Sequence, residues 1–421
     1  MTIAALHQKF IECTGISIDS RSISQGQMFF ALKGPNFDGH KYINKAMASG
    51  AKYAIIDDEK YKKTPNTILV SDSEKALQDL ARYHRSTLTI PIIGLTGSNG
   101  KTTTKELIAS VLNKKYSVFA TKGNLNNHLG VPLSILSIKK SHEIAIIEMG
   151  ANHIGEIRFL SEISMPDYGL ITNIGKAHLE GFGSIEGVQK GKTELYNYIR
   201  LVEGLIFYNC SDPKLKDSII ESDKTISYDS SKIEIIDAFP YLTILYDKHE
   251  YKVKLSGAYN ATNMIAAITI GNYFNVSRNE IKKGLSIYTP SNNRSEIKKT
   301  ISNLLILDAY NANPSSMKVS IENLHNAKST DKALIIGHML ELGKESKFEH
   351  QKLINYIEKL QFESVFLIGH EFYNLNIPKQ YQYFEKTENL ITYLSRNPLN
   401  NKTILLKGSR GIALEKLITS L

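Results

Sequence analysis

Short apolar runs recur along the chain, each closed by a polar or glycine-rich segment and followed by a stretch with helical spacing. Residues 90–95 form such a run and predict a strand buried in a parallel sheet. Residues 102–114 follow, with Leu107, Ile108, Val111 and Leu112 on one helical face. In the same manner residues 144–147 lead into Glu148, and 170–172 into Asn173. Later runs at 304–307, 333–336, 365–368 and 403–406 again alternate with helical stretches. Near the start, 28–32 and 54–56 read as strands, and 42–49 and 73–83 as helical pieces. Alternation of this kind predicts an α/β protein whose ligands collect at the carboxyl ends of parallel strands. Residues 231–255 are β-rich without a clear place in that pattern.

A turn-rich polar stretch at 288–293 marks a boundary. Three α/β domains are expected: a small one over residues 1–88, a central P-loop domain with a doubly wound, mostly parallel sheet over 89–290, and a Rossmann-like C-terminal one over 291–421. The length of 421 residues agrees with more than one domain. Hydrophobic and charged shares of 42% and 22% are those of a soluble globular protein, and no apolar run approaches a membrane span. His7, Gln8 and Lys9 interrupt the N-terminus too early for a signal peptide. Cys13 and Cys210 lie far apart without metal-ligand spacing, which suggests reduced thiols in a cytoplasmic protein. The net charge of +9 comes from scattered lysines. It either steers polyanionic small molecules or is plain solvated surface, and it forms no nucleic-acid patch.

The chemistry starts at Gly94-Leu-Thr-Gly-Ser-Asn-Gly-Lys-Thr-Thr-Thr104, between the first strand and its helix. Glycines there let backbone N–H groups crowd onto phosphate oxygens at a helix N-terminus. Lys101 reaches outer phosphates, and the Thr102 hydroxyl suits Mg²⁺. The spacing departs from G-x-x-x-x-G-K-[ST]: Leu95 occupies the first glycine position, and Gly94 comes one place early. Glu148, at a strand end beside this loop, is either a Mg²⁺ carboxylate or a helix-start carboxylate favoured by the dipole. His178, in Asn173-Ile-Gly-Lys-Ala-His178, is either an unusual Mg²⁺ ligand or a loop histidine. Composition and spacing make Lys192 a solvated helix lysine; a buried neutral amine there would instead form a carbamate with CO₂.

Asp308 closes another apolar strand and suits ribose hydroxyls, with Asn311 and Asn313 offering amides; an Asx turn ended by Pro314 fits equally. Arg294, after the boundary turn, and Lys407-Gly-Ser-Arg410, after the last strand, place cations at edges expected to face an interdomain cleft. Asp19-Ser-Arg-Ser22 and Asn36-Phe-Asp-Gly-His40 are compatible with an anion pocket or with tight turns.

Six segments carry a resemblance beyond the loop: Asp38-Gly-His40, Gly123-Asn-Leu-Asn-Asn127, Glu148-Met-Gly-Ala-Asn152, His178-Leu-Glu-Gly181, Asp308-Ala-Tyr-Asn-Ala-Asn-Pro314 and Lys407-Gly-Ser-Arg410. Over nearly the whole chain they resemble the Mur ligase family, whose members couple ATP to amide-bond formation. The likeness is nearest the branch that joins D-alanyl-D-alanine (D-Ala-D-Ala) to UDP-N-acetylmuramoyl-tripeptide (UDP-MurNAc-tripeptide). A sister ligase adding a single amino acid or diamino acid to a UDP-MurNAc peptide, and a P-loop nucleotide switch, are the alternatives.

The resemblance implies ATP and Mg²⁺ as cofactors, these small molecules as the partners, and a monomer. It gives the phosphate contacts to Gly97, Ser98, Asn99, Gly100, Lys101, Thr102 and Thr103. Asn260, Asn263, Arg294, Asp308 and Asn311 would hold the rest of the nucleotide. Thr102, Glu148, His178 and a carbamylated Lys192 would serve the metals, with Lys101, Glu148, His178 and Lys192 as the catalytic set. Lys190 lies two residues from Lys192, and Glu194 favours the latter. Substrate contacts would come from Ser20, Arg21, Asn36, Asp38, Gly39, His40, Asn124, Asn126, Asn127, Lys407, Ser409 and Arg410. His338 departs from the family's usual aspartate.

Overall fold

The computed structural model describes residues 1–329 and 331–421. Its centre is a six-stranded, wholly parallel sheet in the order Lys224–Tyr228, Leu205–Asn209, Tyr168–Ile171, Ile92–Thr96, Ile144–Glu148, Val118–Ala120. All five residues of Ile92–Thr96 and of Ile144–Glu148 are buried, as continuous apolar strands with helices on both faces require. Helices Lys101–Leu112 and Ala261–Tyr273 cover one face through Leu107, Ile108, Val111, Met264 and Ile265. Glu156–Ser164 and Ile185–Leu201 cover the other through Ile157, Leu160, Leu195 and Ile199.

The phosphate-loop strand thus lies between Tyr168–Ile171 and Ile144–Glu148, in register Thr96 to Ile171 and Leu95 to Glu148. The three carboxyl ends open on one crevice, where the strand order reverses. The helix expected over 102–114 runs from Lys101 to Leu112. Gly100 caps its start in a left-handed conformation (φ +78°), and Asn113 Oδ1 leaves the helix to accept from Val118 N at 3.3 Å.

Gly94 proves to be a strand residue, not a loop residue. A Cβ there would lie 2.9 Å from Met149 Cε and 3.0 Å from Pro166 Cβ, so the position is small because the adjoining layer presses on the strand. The loop proper begins at Gly97, which explains the irregular spacing. Gly94→Val is expected to lose about 1–3 kcal/mol through overpacking. Urea denaturation measures this, and an unchanged midpoint would contradict the packing argument.

The first unit has a four-stranded parallel sheet, Ile16–Ser17, Met28–Phe30, Tyr53–Ile56, Thr67–Leu69. Its helix Ser73–Ser86 ends in Arg85, a buried side chain that donates to Ser164 O (3.1 Å), Met165 O (2.9 Å) and Asp167 Oδ2 (3.0 Å) of the central unit. The β-rich stretch folds as a separate antiparallel sheet, Glu234–Asp237, Leu242–Tyr246 and His249–Val253. The last unit has a second six-stranded sheet: Glu296–Lys299, Leu304–Asp308, Thr403–Lys407, Lys332–Gly337, Ser364–Ile368, Gln382–Phe384. Only Glu296–Lys299 is antiparallel. No helix among the described residues is long and apolar enough to cross a membrane.

Candidate active site between the central and C-terminal sheets

The carboxyl ends of the central strands face the C-terminal unit across a cleft of about 870 Å³. On the central side it is lined by the loop Ser98–Thr103, Asn124, Asn126, Asn127, Glu148, His178, Asn260 and Asn263; Arg294, Asp308, Asn311 and Lys407 line the other. Residues scattered over three hundred positions are thereby gathered at one crevice.

The first N–H groups of helix Lys101–Leu112 have no intrahelical acceptors and point into this space. The loop is held from behind: Ser98 N donates to Asn173 O (3.0 Å), and Thr172 Oγ1 to Asn99 O (2.6 Å). Lys101 Nζ folds back onto Gly97 O (2.7 Å) and Ser98 O (3.2 Å), carbonyls it can exchange for an anion. Burial lowers its pKa to about 8, with Glu148 opposing that shift and Arg294 adding to it. Thr104 Oγ1 donates to Asn263 Oδ1 (3.0 Å), and Asn263 Nδ2 to Asn260 Oδ1 (3.0 Å), so both asparagines are fixed against the loop helix.

Glu148 is 1% exposed. Its Oε1 accepts from Thr102 Oγ1 (3.1 Å) and Asn126 Nδ2 (2.9 Å), and its Oε2 lies 3.2 Å from Lys105 Nζ. Burial alone would raise this carboxyl, but Lys105, Lys101 and Arg294 outweigh it and hold the group below its ordinary range. Thr102 and Glu148 are hard oxygen donors beside a phosphate cradle, and that set fits Mg²⁺, which keeps water and substrate phosphates among its ligands. Among the described residues no group of three or more His, Cys, Asp or Glu side chains converges to hold a metal unaided. His178 in particular is turned to the opposite unit, with Nδ1 2.6 Å from Glu341 Oε2. Glu148 and His178, both expected to serve the metals, thus have separate partners here.

Lys192 corrects the reading from spacing. It is wholly buried in helix Ile185–Leu201, over the Phe182 ring, and donates only to Ala151 O at 3.1 Å. Burial, with Lys101 nearby, pushes its pKa far below that of a free lysine. Lys190 is exposed, and Glu194 is spent on the backbone N–H of Gly155 (2.6 Å) and Arg158 (3.0 Å).

The C-terminal side is ordered by its own pairs. Lys407 Nζ lies 2.9 Å from Asp308 Oδ2, which also accepts from Ser320 Oγ at 2.6 Å. Asn313 caps helix Pro314–Asn326 through Ser316 N and crosses the cleft to donate to Asn99 Oδ1 at 2.7 Å. The Arg294 guanidinium lies 3.7 Å from the Tyr310 ring centroid, and that of Arg410 lies 5.2 Å from it. Arg294 sits between Asn293 and Ser295, both left-handed (φ +54° and +53°).

Three family models match the chain: "Mur ligase family, catalytic domain" over residues 12–85, "Mur ligase middle domain" over 95–271 and "Mur ligase, glutamate ligase domain" over 293–410. A UDP-N-acetylmuramoyl-tripeptide--D-alanyl-D-alanine ligase of Bacillus subtilis (strain 168) is 34% identical over 425 residues, covering 97% of this chain and 93% of the relative. The chain belongs to the Mur ligase family. Among solved structures, MurF from Acinetobacter baumannii superposes with a TM-score of 0.85 at 28% identity, over 100% of this chain and 98% of that one. MurF ligase from Thermotoga maritima in complex with ADP gives 0.84 at 27%, over 98% and 97%. A P-loop switch outside this family is thereby excluded.

Not every expected residue of this Mur ligase reaches the cleft. Ser20, Arg21, Asn36, Asp38, Gly39 and His40 lie in the first unit, away from it. Arg21 is exposed and pairs with Asp19 at 2.7 Å. His40 is buried, with Nδ1 2.8 Å from Asp38 Oδ1 and Nε2 accepting from Asp57 N at 3.2 Å, so its ring secures the 36–40 loop and has no nitrogen left for a ligand. Asn36 and Asp38 border a shallow depression with Lys33, Phe37 and Lys41. Asn127 Oδ1 accepts from Gly130 N at 2.9 Å and starts helix Gly130–Leu136. Ser409 accepts from Leu340 N at 3.0 Å and supports the segment that carries Glu341.

Sequence reasoning missed Lys105, Tyr310, Glu341 and Glu106. Glu106 accepts from Tyr288 OH (2.5 Å) and Asn292 Nδ2 (3.2 Å), tying the loop helix to the 288–295 linker. Of these, Lys105 alone left a signal, one helical turn after Lys101 on the same face.

His338, which departs from the aspartate that the resemblance implies, is buried and faces His370, His350 and Glu371. Burial, with His370 and His350, lowers its pKa to about 4 against the opposing pull of Glu371. The folded state therefore takes up its proton less readily than the unfolded chain. Its stability contribution is intact above the unfolded value near 6.5 and is lost as pH falls through about 4. His338→Asn is expected to flatten that part of the acid slope in thermal melts; an identical slope would contradict this assignment.

Proposed function

We propose that this Mur ligase is an ATP-dependent enzyme that adds D-Ala-D-Ala to UDP-MurNAc-tripeptide in cytoplasmic peptidoglycan precursor synthesis. Its support is the near-full-length likeness, at 30–34% identity, to proteins named for that ligation. Two half-buried free thiols, Cys13 and Cys210, agree with a reducing compartment.

The tripeptide's terminal carboxylate attacks the γ-phosphorus of ATP, forming a carboxyl C–O–P linkage as ADP leaves. The amine of D-Ala-D-Ala then attacks that carbonyl carbon, loses a proton, and phosphate departs with the bonding pair. Lys101 exchanges its loop carbonyls for the transferring phosphoryl group, and the helix N-terminus cradles the phosphates. Bound Mg²⁺ would neutralise phosphate charge, held by Thr102 and Glu148. His178 joins that set only by giving up Glu341.

The neutral Lys192 amine bonds to the carbon of CO₂ and releases a proton, leaving one negative charge behind the cleft-lining Ala151. Asn260 and Asn263 flank the base, Asp308 and Asn311 take the ribose, and Arg294 faces the phosphates. Lys407, Asn124, Asn126 and Asn127 border the acceptor carboxylate, with Ser409 and Arg410 supporting that edge. Ser20, Arg21, Asn36, Asp38 and Gly39 hold the uridine diphosphate end, and His40 fixes their loop. The substrate therefore spans two units, and closing them around it excludes water from the acyl phosphate.

The test is phosphate release by purified protein with ATP, UDP-MurNAc-tripeptide and varied amines. Release that depends on D-Ala-D-Ala is expected. Release driven by a free diamino acid would replace this reading with that of a sister ligase.

A further inference from the structure

Lys105 is a buried cation beside the cleft-lining Glu148, and the proposed reaction gives it no task. It is 1% exposed, one turn beyond Lys101 in helix Lys101–Leu112. Its Nζ lies 3.2 Å from Glu148 Oε2, and neither atom has an aligned hydrogen-bond partner. The carboxylate is thus divided. Oε1 takes the Thr102 hydroxyl and the Asn126 amide, both cleft-lining groups, while Oε2 is turned to the ammonium.

We propose that Lys105 is a positioning residue that makes divalent-cation binding at Glu148 conditional on nucleotide. This rests on reading Thr102 and Glu148 as the Mg²⁺ donors. Without nucleotide, Lys105, Lys101 and Arg294 all act on this one carboxylate. A dication arriving alone meets an already neutralised carboxylate with surplus positive charge around it, and charges interact strongly away from bulk water. A nucleotide reverses that balance: its phosphates offset Lys101 and Arg294 and add oxygen ligands. Lys105 is buried within its helix and has no solvent-facing position to withdraw to. The metal therefore enters with the nucleotide.

Mn²⁺, titrated into the protein and followed by electron paramagnetic resonance, tests this with and without ADP. Nucleotide-free Lys105→Met is expected to bind Mn²⁺ about tenfold more tightly than wild type, because one unit charge is removed beside the carboxylate. Lys105→Arg keeps the charge and is expected to match wild type, and ADP is expected to narrow the gap. Lys105→Gln replaces the methionine variant should that one fail to fold. Equal nucleotide-free affinities in wild type and the uncharged variant would overturn the proposal. Failure of wild type to bind Mn²⁺ even with ADP would instead remove Glu148 as a metal donor, and the proposal with it.

Discussion

Lys192→Ala is expected to lower turnover roughly 10²- to 10³-fold, the scale seen when one preorganised charge-stabilising group is removed. The amine is enclosed, has a single carbonyl partner, and is kept neutral by burial with Lys101 nearby. Those are the conditions under which nitrogen attacks CO₂ instead of holding a proton. Folding should survive, since the change removes a polar group whose burial is itself costly. A carbamate signal from ¹³C-bicarbonate should appear in wild type and vanish in the variant. Lys190→Ala, at an exposed position of the same helix, should leave both readouts in place. Full activity in Lys192→Ala would mean that the site works without the modification.

The second large effect concerns Glu148→Ala. It removes a carboxylate from the cleft and leaves the Lys105 ammonium buried and unpaired. Breaking a buried pair from one side costs about 3–5 kcal/mol, whereas replacing both members with apolar groups is often near neutral. Urea denaturation should therefore show a large loss for Glu148→Ala and substantial recovery when Lys105→Met is added. Activity should stay low in both, because the carboxylate is missing from each. Equal stability of wild type and Glu148→Ala would show that the pair carries no net burial penalty.

These residues also show what the chain disclosed before folding. The loop lysine and threonine, Glu148 and Asp308 were legible because each sits at the end of an apolar strand, where a parallel sheet presents its ligand-binding edge. That relation is local in sequence. The burial of Lys192 was not, since its surroundings come from Phe182 and Ala151 on other segments. Lys105 left only its spacing from Lys101 as a signal, because a lysine in a helix looks solvated until a carboxylate from a distant strand closes over it. Gly94 shows the converse error. Spacing alone cannot tell a glycine that bends a loop from one that admits a neighbouring layer, and only the contact with Met149 and Pro166 separates them. His40 looked like a ligand-facing histidine, yet its two nitrogens are taken within its own unit, by the Asp38 carboxylate and the Asp57 backbone N–H.

Three cross-cleft contacts, Lys176 with Glu349 at 2.7 Å, His178 with Glu341 and Asn99 with Asn313, join the two halves of the site. A nucleotide that touches both halves can bind fully only in molecules where those halves meet. Its apparent dissociation constant is the intrinsic one divided by that docked fraction. Affinity in this enzyme is then partly a property of surfaces the nucleotide never reaches. Selection can retune it at Lys176 or Glu349 while every phosphate contact stays as it is.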